Sequence, residues 1–238
     1  MYNCQGMSVV DRQSTADKKH LTPETIVERA LSLADSEGLG VVTIRRLAED
    51  LGVTPMALYW HFRNKDALLD AIMGRVYSEV DPAVDELVTW GEQFRALMDS
   101  LAGVLRAHPS VAPLFRSRTN TSESSLRLTE VALDILRRGG FSPTEATQVS
   151  RHALSTIINL VAGEPGFAAR EDAGELVDAR RRARLFLEAL PPDRYPRLIE
   201  AAAPLSACED LDAYYDFGLD LLLAGIEEMA ARKDQGRG

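Results

Sequence analysis

The sequence predicts an all-α fold, on three observations. The period-2 alternation of strands is nearly absent, and apolar residues recur instead at every third or fourth position. Cap residues (Ser, Thr, Asn, Gly and Pro) stand where those periodic stretches begin and end. The stretches are short up to about residue 80 and longer after it, so a small helical head joined to a larger helical bundle is expected.

Thr22 caps the first helix, with Pro23 at its first position, Ile26, Ala30, Leu33 and Ala34 on one face, and Gly38 as its stop. The second begins after Thr43 and carries the stripe Ile44, Leu47, Ala48 and Leu51 before a tight turn at Gly52-Val53. Thr54 caps a third short helix that opens on Pro55. Asn64 caps a fourth, "KDALLDAIMGRVYSEV", ending before Asp81-Pro82. Longer helices follow: about 83–108, a short one after Pro109, and about 122–138, closed by Gly139-Gly140. Ser142, Pro143 and Glu145 make a capping box for a helix reaching about 164–166. Residues 168–190, with the run "ARRRAR", suit a helix or a mobile connection. A final helix is expected over about 210–231. The domain reading is a flexible arm over 1–20, a head over 21–80 and a body over 81–238.

The 238 residues include 27 Lys/Arg and 36 Asp/Glu, a formal net charge of -9. Residues 1–80 hold 9 basic and 11 acidic side chains, so most of the acidity lies later and the head is free to present a local basic face. Cys4 and Cys208 lie far apart without CxxC spacing, which argues against a zinc site or disulfide framework and fits a reducing cytoplasm. No stretch approaches the roughly 20 apolar residues of a membrane span.

Helix, glycine turn, helix within residues 43–62 is helix-turn-helix spacing, whose second helix enters the DNA major groove. In "LYWHF", Leu58 and Phe62 lie one turn apart and can both pack on Leu47 and Leu51. Measured from their midpoint, Tyr59 lies at about +80°, His61 at about -80° and Trp60 at about 180°. Trp60 therefore points away from the head's core, beside Met56. Such a face suits contact, either with the second domain or with DNA. Arg45, Arg46, Arg63 and Lys65 bracket it, and Asn64-Lys65 opens the next helix with free N–H groups, which favours DNA.

"TIRRLAEDLGVTPMALYWHFRNKDALLDAI" closely resembles the DNA-binding region of the tetracycline-repressor (TetR) family. "W…F…L…HP…APLF" followed by "GGFSPTEA" is similar to the family's ligand-binding body. The resemblance implies a homodimeric regulator, a three-helix head on double-stranded operator DNA, and an effector-binding, dimerising body. It also implies DNA contacts from Thr43, Arg45, Thr54, Pro55, Met56, Ala57, Tyr59, Trp60, His61 and Lys65. Thr54-Pro55-Met56-Ala57 stands where the tetracycline-binding members carry a more polar Glu-Gln-Pro-Thr, so a different operator is expected. Those members meet their drug with a magnesium-linked His and polar neighbours. The same alignment puts Phe115 at that His, Leu97 at a contacting Asn and Asp81 at another contacting His. A metal-chelated tetracycline is therefore not expected, and neither a metal nor another cofactor is implied. Phe94, Leu97, Met98, Leu101 and Phe115 suggest an apolar effector pocket, and each is equally an ordinary bundle-core residue. His152 and Asn159, seven apart on one helix, are candidate polar contacts in it. His108 reads as a helix-end histidine.

No G-x-S-x-G, HExxH, Walker loop or dinucleotide turn is present, and Ser155 near His152 lacks an orienting carboxylate, so no catalysis is expected. The rival class is an all-helical small-molecule-binding protein or enzyme without DNA binding, which would have no reason for a basic rim around Trp60. The final helix, with Leu219, Leu222, Leu223 and Ile226, and the helix after Pro143 are the expected dimer interface.

Overall fold

The computed structural model describes residues 21–82, 87–118, 121–162, 173–207 and 210–235. Every regular element among them is helical. The expected arm over 1–20, with Lys18, Lys19 and His20, lies outside the described residues.

The head is α1 (Pro23–Glu37), α2 (Ile44–Leu51) and α3 (Pro55–Tyr59), and α4 (Lys65–Tyr77) leads out of it. Each N-terminus is set by one side chain that accepts an otherwise orphaned N–H. Thr22 accepts from Thr25, Thr43 from Arg46, Thr54 from Ala57 and Asn64 from Ala67. Ile26, Ala30, Leu33, Leu47, Leu58 and Phe62 form the head's core, while Leu51 is only partly buried against it. Gly52 turns α2 into α3 at φ +66°, in the left-handed region, and the Val53 N–H donates to the Ala48 carbonyl at 2.9 Å. The hydrogens of Gly52 face open space, so only backbone conformation demands glycine there. Gly52→Ala is expected to lower stability by about 1 kcal/mol, read as a shift of the thermal midpoint with secondary structure unchanged.

The body begins with α5 (Trp90–Ala107), α6 (Ala112–Ser117), α7 (Glu123–Arg138) and α8 (Pro143–Ala162). Phe94, Leu105, Ile135, Leu136, Phe141 and Ile157 fill the space between them. The rings of Trp90 and Phe141 pack in a T shape, 5.9 Å between centroids. The last helix, α12 (Leu211–Gln235), lies along α8 and touches α5. Lys233 of α12 bonds Glu145, the capping carboxylate of α8. That lysine first, and Ser142 second, hold the Glu145 carboxyl down at about 2. Between α8 and α12, α9 (Ala173–Glu188) packs with the short α10 (Pro196–Glu200) and α11 (Ala202–Ser206).

Three expectations are corrected, and one left open between two alternatives is decided. The fourth helix stops at Tyr77 rather than Val80: the Ser78 N–H is shared between the Gly74 and Arg75 carbonyls, and Glu79 and Val80 donate to carbonyls three residues back. The next helix starts at Trp90 rather than 83. Thr89 and Glu92 form a reciprocal capping box there, and 83–86 lie outside the described residues. The charged run belongs to a regular helix, α9. On α12, Leu219, Leu223 and Ile226 are buried within the chain. The large apolar side chains it leaves exposed include Leu211, Phe217, Leu221 and Met229.

Candidate functional site

α3 is five residues long, and its hydrogen bonds run on to Phe62: the Trp60 N–H donates to Met56, and the His61 and Phe62 N–H groups both donate to Leu58. This last tight turn keeps Leu58 and Phe62 inward and throws the intervening rings outward. Trp60 is 84% exposed, Met56 66% and Tyr59 48%; His61 and Pro55 are exposed and Ala57 is half-buried. The rings that cannot share the core make one continuous outward surface. Among the described residues the substantial packing of α3 is with α2, and the outward rings stay exposed.

The rim of that surface divides by role. Arg45 is 86% exposed and its one ion-pair partner among the described residues is Glu49, one turn on, a pairing that solvent keeps weak and replaceable. Arg63 and Lys65 are exposed and make no ion pair with a described residue. Arg46 is different. Its guanidinium donates to both Glu37 oxygens at 3.0 and 2.7 Å and to Asp50 at 3.0 Å, and Asp50 also accepts from Arg29. Those bonds, Glu37 first, push its pKa further up. Arg46 ties α2 to α1 and drops out of the basic rim. Thr43 and Thr54 already use a hydroxyl lone pair as caps, and each keeps its O–H to donate elsewhere.

Phe94, Leu97, Met98 and Leu101 on α5 and Phe115 on α6 are each buried in the chain's continuous apolar core. His152 and Asn159 are not: both lie on the exposed face of α8, Asn159 accepting from Arg116 at 3.3 Å. Phe115 meets the Tyr77 ring of α4 at 4.7 Å, tilted by 53°. Burial pushes that phenol up to about 12, so it stays neutral. Arg118, just past α6, bonds Asp66 and Asp70 on α4. Gly74 of α4 lies so close to α7 that an added Cβ would stand 3.0 Å from Ser122 Cβ. The helix leaving the head is thus held by α6 on one side and α7 on another. The sequence reading missed Tyr77 and Arg118, because nothing local marks a partner about 40 or more residues away.

A helix-turn-helix head with an outward aromatic face, carried on a helix embedded in a larger helical body, defines a DNA-binding regulator. The chain belongs to the TetR family. Residues 26–72 match the family described as "Bacterial regulatory proteins, tetR family", and residues 82–230 match "Tetracyclin repressor-like, C-terminal domain". Tetracycline repressor protein class C of Escherichia coli is 30% identical, over 88% of this chain and 92% of its own. An HTH-type transcriptional regulator of Saccharopolyspora erythraea is 29% identical, over 90% of this chain and 87% of its own. The TetR family protein ActR of Streptomyces coelicolor, solved in complex with actinorhodin, superposes with a TM-score of 0.74 at 28% identity, covering 88% and 98% of the two chains. The chain is therefore a ligand-responsive, DNA-binding transcriptional regulator of the kind that works as a dimer. Among the described residues no helix is long and apolar enough to cross a membrane.

Proposed function

We propose that this regulator is a repressor. As a homodimer it grips a palindromic operator with two copies of α3 and lets go when a largely apolar small molecule enters the α5–α6 interior. The observation that carries the DNA half is Trp60, an 84% exposed tryptophan on a helix with Met56 and Tyr59 beside it. Trp60, Met56 and Ala57 suit thymine methyls, Tyr59 and His61 suit phosphates, and Arg45 and Lys65 supply charge. Pro55 has no N–H and no polar side-chain atom, so it shapes the fit without reading a base edge. Thr43 and Thr54 donate their hydroxyls to the backbone of the DNA.

The effector half rests on buried Phe94, Leu97, Met98, Leu101 and Phe115, and on relatives that carry small molecules, such as ActR with actinorhodin. Phe115 has no donor atom for a metal, so a magnesium-chelated drug does not fit this interior. His152 and Asn159, exposed on α8, are left out of the binding set. An effector that moves α6 pulls on α4 through Tyr77, Asp66 and Asp70, so DNA and effector exclude each other through linked equilibria. The reading assigns the chain no catalytic role and a place in the cytoplasm with the DNA it binds. The test is footprinting on DNA from upstream of its own gene. Protection should cover two inverted half-sites centred about 34–36 Å apart. Absence of sequence-selective protection at moderate salt would transfer support to a helical small-molecule binder without DNA binding.

A further inference from the structure

A charged cluster at the junction of head and body takes no part in the roles above. His108 closes the C-terminus of α5, and only 14% of its side chain is exposed. Its Nδ1 lies 2.8 Å from Asp35 Oδ2, near the end of α1, and its Nε2 lies 3.2 Å from Glu79 Oε2, just beyond α4. The other Glu79 oxygen accepts from Arg75 at 2.6 Å, and Arg75 also bonds Glu28 on α1. The link from α5 to α6, Pro109-Ser110-Val111, brings no charged side chain. Among the described residues, then, two carboxylates face the ring, with Arg75 and Glu28 one and two bonds further along.

A carboxylate accepts hydrogen bonds and donates none. A neutral imidazole has a single N–H, so it satisfies one of these partners and turns a lone pair toward the other. Both contacts are hydrogen bonds only when the ring carries two protons and a positive charge. The two partners belong to the segments that bear the head, whereas the ring belongs to the body. We infer that His108 is a proton-operated latch between them. Doubly protonated, it fastens the end of α1 and the end of α4 to the end of α5. On losing a proton it keeps one partner, repels the other, and frees the head to move on the body. A free head has more motion to lose when it settles on DNA, so operator binding is tighter while the ring holds both protons than after it has lost one.

The test uses the full-length dimer with isotope-labelled histidine, following the His108 ring nitrogens and the amide exchange of α1 over about pH 5 to 8, where imidazoles change charge. Rates are corrected for the intrinsic effect of pH on exchange. The ring is expected to pass from two protonated nitrogens to one, and α1 to open about tenfold more often over the same interval while α8 does not change. In His108→Gln, which carries no titrating proton, that pH dependence of α1 disappears. If the variant keeps the wild-type dependence, the latch is wrong. Should the variant not fold, the wild-type protein still decides: ring titration without a matching change in α1 protection overturns the inference.

Discussion

Trp60→Ala is expected to weaken operator binding by at least roughly 30-fold, the lower end of a cost of about 1–3 kcal/mol for a direct contact to base edges counted once in each half of the dimer. The thermal midpoint and helix content should not move, because an 84% exposed side chain leaves no cavity behind. Leu58→Ala, two residues back and fully buried, should do the reverse and cost about 2–5 kcal/mol of stability. Fluorescence anisotropy with labelled operator DNA and thermal unfolding, run on both variants, separate the two. If Trp60→Ala lost stability as Leu58→Ala does, the outward direction of the ring would be wrong.

Phe115→Ala should lower the unfolding free energy by about 3–5 kcal/mol at fixed protomer concentration, since the ring is buried and its removal leaves a void. Part of that loss is shared with Tyr77. A double-mutant cycle with Tyr77→Leu should return a coupling of about 0.5–1.5 kcal/mol, the range for a tilted aromatic pair. Phe115→Leu, which nearly conserves volume, keeps the fold and is the variant in which to look for altered effector response. Additive losses in the cycle would mean that α6 does not hold α4 through these rings.

What could be seen in the sequence was local. Thr22, Thr43, Thr54, Asn64 and Ser142 act on N–H groups within three residues, so their caps are legible from the order of residues alone. The outward turn of Trp60 follows from four consecutive bulky residues and helical geometry. Thr89 and Glu92 carried the same local signal at the start of α5, but Ala83, Val84, Leu87 and Val88, at helical spacing after Pro82, hid it. What stayed illegible was pairing at long range. Arg46 looks like a member of the basic rim until Glu37 and Asp50 are placed around it. His108 could be recognised as a helix end, yet Asp35 and Glu79 reach it from segments distant in sequence. Leu219, Leu223 and Ile226 share the 3.6-residue period with the exposed face of α12, and a period does not say which face meets the body.

The exposed row on α12, Leu211, Phe217, Leu221 and Met229, has a consequence for dosage. A surface this apolar favours pairing of chains, and a pair forms in proportion to the square of the free protomer concentration. Only the pair offers two recognition helices to one operator. At protomer concentrations below the dissociation constant of the pair, operator occupancy therefore rises with the square of the copy number rather than in proportion to it.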